Sequence, residues 1–97
     1  MNPLAAGDRP VLLRGVRPHE DRVRGMWMLL APERALKLDD IGRAILGACD
    51  GATFGEIVAR LAARFDAPPE RIEQDARAYL DGLRARRMVG LAQEEAA

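Results

Sequence analysis

Residues 26–38, with the sequence Met-Trp-Met-Leu-Leu-Ala-Pro-Glu-Arg-Ala-Leu-Lys-Leu, decide the predicted fold. The apolar run 26–30 predicts a strand, because it is short and is followed by a proline-containing turn over 31–34. In the next segment, Arg34–Leu38, apolar Leu36 and Leu38 share one face of a third strand. Strands joined by a turn this short predict an antiparallel hairpin.

The residues before this hairpin complete a three-stranded meander. Segment 16–21 has strand character, but Pro18 confines it to an edge, because proline cannot donate to a sheet. An apolar run at 11–13 is also strand-like. Residues 1–9 contain glycine and proline breakers and are predicted to be a flexible arm.

Three amphipathic helices are predicted after the strands. Asp39 is a candidate N-cap of the first, Thr53 and Glu56 form a capping box for the second, and Pro68-Pro69 starts the third. Their apolar positions recur at helical spacing. They are Ile41, Ala44, Ile45, Ala48 and Cys49 in the first helix, Phe54, Ile57, Val58, Leu61 and Phe65 in the second, and Ile72, Ala76, Tyr79, Leu80 and Leu83 in the third.

The order of these elements predicts the fold class. Strands followed by helices give an α+β domain, with the helices packed on one face of a three-stranded antiparallel sheet. The 97 residues suffice for a single modest core. We expect the domain to span residues 10–90 and residues 91–97 to fray as a tail.

Composition restricts the function. Fifteen Lys and Arg balance fifteen Asp and Glu, and a net charge of zero argues against nucleic acid as the main partner. A single cysteine fits a reducing compartment. We expect a cytoplasmic protein, because the N-terminus does not read as a signal peptide and no apolar run is long enough to cross a membrane.

The polar residues do not form a recognisable catalytic set. His19 is the single histidine and is expected to be exposed, and Cys49 lies on an apolar helix stripe that favours an inert thiol. Asp39 and Asp40 are adjacent carboxylates, which helix capping explains. We therefore predict a non-enzymatic protein with no metal and no cofactor, which acts by binding another polypeptide.

Two surfaces are candidates for that binding. The run Met26, Trp27, Met28, Leu29 and Leu30 is apolar on both faces of the strand. Three helices can cover one face of the sheet, but covering both faces is difficult. We expect the other face to meet a partner, a second copy in a homodimer, or the N-terminal arm of a monomer. The third strand, Arg34–Leu38, lacks proline and glycine, so its free edge is suited to accept an extended peptide.

The same residues resemble a known family, the D protein of pyrroloquinoline quinone biosynthesis. The resemblance covers residues 10–90, and the combination of its motifs is specific although each motif alone is weak. They are Arg24-Gly25, Trp27, Leu29-Leu30-Ala31-Pro32-Glu33, Leu36-x-Leu38-Asp39, Ile45-Leu46, Cys49-Asp50-Gly51, Thr53-x-x-Glu56-Ile57, Asp75 and 80–83. Pro18-His19-Glu20 departs from the alternating apolar strand more common in the family.

The resemblance implies a winged-helix-like recognition element for ribosomally made precursor peptides, without chemistry of its own. Members bind the leader of the precursor peptide and deliver it to a radical S-adenosylmethionine (SAM) enzyme. That enzyme joins a Glu and a Tyr of the precursor. The resemblance places the peptide along Arg34, Ala35, Leu36, Lys37 and Leu38, and we predict that helix three lines the groove with Ala76, Tyr79, Leu80 and Leu83.

A winged-helix DNA-binding regulator is the alternative. The second and third helices, separated by a proline-containing turn, suit a helix-turn-helix. Its basic face would consist of Arg71, Arg77, Arg84, Arg86 and Arg87. Acidic residues interrupt that face, and the strands precede the helices, which departs from the usual order.

Overall fold

The computed structural model describes residues 2–95 and contains two small sheets and four helices. The strands are β1 (Pro10–Leu12), β2 (Arg17–Asp21), β3 (Met26–Ala31), β4 (Arg34–Leu38) and β5 (Val89–Leu91). The helices are α1 (Asp40–Gly47), α2 (Phe54–Phe65), α3 (Pro69–Ala85) and α4 (Ala92–Glu95). None of the helices within residues 2–95 is long and apolar enough to cross a membrane.

The larger sheet has the order β2-β3-β4, with antiparallel pairing throughout. β3 is central, as its uninterrupted apolar sequence predicts, and Leu29 lies between Pro18 on β2 and Leu36 on β4. The helices follow this sheet along the chain. The predicted α+β class, a three-stranded antiparallel sheet followed by a three-helix bundle, is confirmed.

One face of the sheet packs on the helices and forms the core. Leu29 and Leu38 are 0% and 4% exposed and belong to one cluster with Phe54, Ile57 and Leu80 of the helices. Successive side chains of a strand point to opposite faces. The alternation along β3 and β4 therefore determines which side chains of each strand face the helices and are buried.

The predicted helix starts are also present. The Thr53 side chain accepts a hydrogen bond from the Glu56 amide at 3.2 Å, while the Glu56 carboxylate accepts one from the Thr53 amide at 2.9 Å. Asp66 ends α2 in a left-handed conformation, and Pro69 occupies the first turn of α3. These local signals place the helix boundaries because they satisfy backbone groups that a helix end leaves unpaired.

The C-terminal segment is more ordered than predicted. Residues 91–97 were expected to fray, but Leu91 is 5% exposed and pairs with Pro10 in a two-stranded sheet of β1 and β5. Met88 and Val89, which precede it, are also buried. Burial of these apolar side chains compensates for ordering the chain end. Residues 96–97 lie outside the described part.

The N-terminal arm is likewise packed against the helices rather than loose. Leu4 is 2% exposed, and its carbonyl accepts a hydrogen bond from the Arg77 guanidinium of α3 at 2.9 Å. The amide of Gly55 at the start of α2 donates to the Ala6 carbonyl at 2.9 Å. The prediction of a flexible arm over residues 1–9 is therefore wrong for residues 2–9, because a single buried leucine and its backbone bonds hold the arm on α2 and α3.

Replacing Leu4 by alanine should lower the free energy of unfolding by about 2–4 kcal/mol, the range expected for a large-to-small change in a core. Urea denaturation followed by circular dichroism measures the change. Val23→Ala is the matched control, since Val23 is 97% exposed and its truncation should cost less than about 0.5 kcal/mol. Equal stability of Leu4→Ala and the native chain would show that the arm contributes nothing to the fold.

Candidate functional site

The free edge of β4 is defined by the register of the β3–β4 hairpin. The turn at 32–33 has two residues, so Ala31 and Arg34 close the hairpin as a hydrogen-bonded pair. Bonded and non-bonded pairs alternate from there. The N–H and C=O groups of Ala35 and Lys37 therefore point away from β3, and no hydrogen bond within residues 2–95 satisfies them.

The opposite edge of the sheet is less suited to strand addition. By the same alternation, Pro18 and Glu20 are the positions of β2 that face away from β3. Pro18 has no N–H to donate, and its ring obstructs an approaching strand. Of the two edges of this sheet, β4 is the one whose outward groups are complete.

Helix α3 runs beside β4, and a contact at each end fixes its position. The Arg34 guanidinium donates a hydrogen bond to the carbonyl of Arg86, just beyond the C-terminal end of α3. Beyond the other end of β4, Tyr79 approaches Gly42 so closely that a Cβ at position 42 would lie 2.6 Å from the Tyr79 hydroxyl oxygen. The helix is thus antiparallel to β4, and the peptide groove that the sequence predicts would lie between these two elements.

Of the four α3 residues predicted to line this groove, only Tyr79 has substantial exposed surface. It is half-buried, whereas Ala76, Leu80 and Leu83 are 1%, 0% and 4% exposed. The latter three belong to the core and support the groove from beneath. The structure therefore corrects the predicted helical side of the groove, because the apolar stripe of α3 faces the core.

Sequence reasoning missed the contacts that position α3 beside β4 and α1. Gly42 lies within α1, where a glycine usually weakens a helix, and its lack of a side chain is what admits Tyr79. An interior glycine on a predicted helix was the available signal for a close approach. The Arg34–Arg86 contact had no sequence signal, since it joins residues far apart in the chain.

Charged side chains lie at both ends of β4. An open depression of about 720 Å³ lies beside the start of β4. Its charged lining residues are Arg14, Arg34, Arg87, Glu33 and Glu95. No carboxylate oxygen of residues 2–95 lies within 4.0 Å of the three guanidinium groups. The other end of β4 leads directly into Asp39 and Asp40, and a depression there is lined by Asp40 together with Arg43 and Arg64.

The outer face of the sheet is narrower than the predicted apolar surface. Leu29 is fully buried, so the prediction that it contributes to a partner or dimer surface is wrong, whereas Trp27 packs against the core and is partly buried. Met26, Met28 and Leu30 lie on the outer face and are partly exposed. The hydrogen bonds described above connect the N-terminal arm to α2 and α3, and none of them connects it to this stripe.

Other candidate residues have structural explanations. Asp39 accepts a hydrogen bond from the Gly42 amide at 2.7 Å, which is the predicted capping role. Burial, and secondarily the charge of Asp50, raises the pKa of Cys49 to about 12, which suits an inert thiol because the thiolate is the nucleophile. His19 is exposed on β2. Within residues 2–95, no three His, Cys, Asp or Glu side chains are grouped to hold a metal ion.

The arginines that would form a DNA-contacting face are largely paired along α3. Three of the five make ion pairs on the same helix: Arg71 with Asp75 at 3.5 Å, Arg77 with Glu73 at 3.0 Å, and Arg84 with Asp81 at 2.8 Å. A cation with a carboxylate neighbour contributes less to phosphate binding than a free one. The charge distribution does not favour duplex DNA as a ligand.

Comparison with known proteins identifies the family. The family model described as Coenzyme PQQ synthesis protein D (PqqD) matches residues 26–89, from the first residue of β3 to the first residue of β5. This chain belongs to the PqqD family. The resemblance found in its sequence motifs is therefore confirmed.

Relatives in the PqqD family match along nearly the whole chain. A protein of Rhizobium meliloti (strain 1021) named PqqA binding protein is 48% identical over 93 residues, which cover 94% of this chain and 95% of the relative. A protein of the same name from Xanthomonas axonopodis pv. citri (strain 306) is 40% identical, covering 94% and 100% of the two chains.

Solved PqqD structures share the fold. The solution structure of the PqqD part of Methylobacterium extorquens PqqCD, described as a functional, stand-alone RiPP recognition element, matches with a TM-score of 0.77 and 41% identity. That match covers 90% of this chain and 94% of the other. PqqD of Xanthomonas campestris matches with a TM-score of 0.54 and 41% identity, over 79% and 87% of the two chains.

Tyr79 is the single tyrosine and provides an optical probe of the groove. Burial, with a smaller effect of the Asp39 charge, raises the pKa of its phenol above the usual value. We expect a titration followed at 295 nm to show phenolate formation above pH 10 in the folded chain. Asp39→Asn should lower that pKa part of the way, because asparagine removes the charge while keeping a capping oxygen.

The control for this titration is Asp66→Asn, which removes a carboxylate at the end of α2 and should leave the Tyr79 pKa unchanged. An Asp39→Asn chain with the pKa of the native chain would show that Asp39 does not act on the Tyr79 hydroxyl.

Proposed function

We propose that this chain binds the PqqA precursor peptide of pyrroloquinoline quinone biosynthesis as an additional strand beside β4. The observation that carries the proposal is the unpaired set of N–H and C=O groups of Ala35 and Lys37 on an exposed edge. Peptides that add to a sheet edge gain affinity from main-chain hydrogen bonds. The β2 edge offers fewer such groups because of Pro18.

The family supports the identity of the ligand. Relatives with 48% and 40% identity are named PqqA binding proteins, and a PqqD structure with the same fold is described as a RiPP recognition element. These names describe function in the relatives. For this chain they support a binding role and give the experiment its first ligand.

The groove defines which side chains meet the peptide. An added strand presents alternate side chains to the two faces of the sheet. On the helical side we expect it to meet Leu36 of β4 and Tyr79 of α3, both of which are partly exposed. Ala76, Leu80 and Leu83 contribute indirectly, because they hold α3 at its distance from β4.

We further propose that the chain delivers the bound peptide to a radical SAM enzyme in the cytoplasm and contributes no catalytic group. In this role it holds the leader while the enzyme joins Glu and Tyr elsewhere in the peptide. The outer-face stripe of Met26, Met28 and Leu30 remains a predicted surface for a second protein or a second copy.

Lys37→Pro is expected to weaken binding of the PqqA peptide of Rhizobium meliloti about tenfold, as measured by isothermal titration calorimetry. Proline removes one outward donor, worth about 1 kcal/mol, and its ring adds a steric cost, which together amount to roughly 1.4 kcal/mol. Ala35→Pro should act in the same direction. When the concentration of this chain is too low to saturate the peptide, Lys37→Pro should also slow the rate at which the radical SAM enzyme joins Glu and Tyr, by a similar factor.

Glu20→Pro is the matched control, because its amide points outward from the opposite edge. It should leave affinity unchanged. Leu36→Pro is not a clean test, because Leu36 pairs toward β3 with Leu29 and its replacement would break the sheet. Native affinity in folded Lys37→Pro and Ala35→Pro chains would contradict strand addition, and an unchanged joining rate despite weaker binding would contradict delivery.

A further inference from the structure

A small apolar cleft lies beyond the end of β4, between the start of α1, the end of α2 and the first turns of α3. Its volume is about 220 Å³. The lining residues are Ile41, Ile45, Leu61, Phe65, Ile72, Asp75 and Ala76. Asp75 is the single charged member, and it pairs with Arg71 at 3.5 Å. The interior of the cleft is therefore apolar, with its charge at the rim.

Two large apolar residues at the rim are substantially exposed, although the Arg64 guanidinium lies 5.3 Å from the centre of the Phe65 ring. Ile41 is 63% exposed and Phe65 is 46% exposed, although both occupy positions that the helical spacing assigns to the core. Among the described residues, the other large apolar side chain with comparable exposure is Val23, at 97%, on the β2–β3 turn, which does not line the cleft. Two neighbouring exposed residues on core-type positions indicate a surface that another apolar group covers.

The cleft lies close to the path predicted for a peptide that pairs with β4. The chain passes from Leu38, the last residue of β4, to Ile41 at the rim within three residues. On α3, Ala76 lies one turn and Ile72 two turns before Tyr79 on the same side of the helix. Because a strand advances about 3.3 Å per residue, a peptide paired with β4 reaches the cleft within a few residues of passing Tyr79.

We propose that this cleft receives one large apolar side chain of the peptide that pairs with β4. This inference rests on the proposed function and adds an anchoring site to it. The volume suits a single side chain and lies below the roughly 300–1,000 Å³ of sites that enclose whole small molecules. Asp40 and Asp75 near the rim are accompanied by Arg43, Arg64 and Arg71, so the surroundings are balanced in charge and the anchor residue is selected by apolar contact.

The test compares Ile41→Ser and Phe65→Ser with Val23→Ser, using the PqqA peptide of Rhizobium meliloti and calorimetry. Each rim variant should bind about tenfold more weakly, the effect of losing part of one buried apolar side chain's contacts, while Val23→Ser binds like the native chain. A second series uses peptides in which each large apolar residue is replaced in turn by serine. One of these replacements should weaken binding to the native chain and should cause no further loss of affinity for the Phe65→Ser chain.

The outcomes separate this inference from strand addition. If Lys37→Pro weakens binding while folded Ile41→Ser and Phe65→Ser chains bind normally, the cleft is not part of the site and the edge proposal stands. If the rim variants weaken binding and Lys37→Pro does not, the cleft binds the peptide by a mode other than strand addition. If a rim variant changes only the mass measured by sedimentation, the cleft is an interface with a second copy of the chain and not a peptide site. If the native chain does not bind the peptide, both proposals are contradicted.

Discussion

The antiparallel pairing of β3 with β4 is the interaction on which both the core and the candidate site depend. The two-residue turn at 32–33 sets the register, which places Leu38 opposite Trp27 and Leu36 opposite Leu29. A slip by one residue would turn Leu36 and Leu38 away from the helices. The same slip would exchange the outward and inward backbone groups of β4. Burial of two leucines thus fixes which amides are free for a ligand.

The groove depends in turn on the position of α3. Leu80 and Leu83 are buried in the core and hold the helix against the sheet. The contact of Tyr79 with Gly42 then determines how near the helix lies to the beginning of α1, and Arg34 connects the start of β4 to the chain beyond α3. Core packing and the groove are therefore one arrangement, in which buried residues of α3 set the place of an exposed one.

The extent to which the sequence predicts this arrangement differs between local and distant features. The meander, the Thr53 capping box and the free edge of β4 follow from turns, periodicity and proline placement, which act over a few residues. The packing of Leu4 on α3 and the pairing of Leu91 with Pro10 join opposite ends of the chain, and short apolar segments at a terminus read as disorder without that partner. The periodicity of α3 identifies its apolar stripe, but it does not show which residues of the stripe are buried in the core and which are exposed beside β4.

Backbone pairing alone cannot select one peptide from others, because every residue except proline carries the same N–H and C=O groups. Ala35 and Lys37 would accept many extended segments on these terms. Selectivity must therefore come from side-chain contacts around the edge, where Tyr79, the basic depression at Arg34 and the apolar rim at Ile41 differ in chemistry. Their order along β4, with the arginine-lined depression first, then the aromatic ring and then the apolar rim, favours one orientation of a bound strand, since reversing the strand would place each of its side chains beside the wrong group.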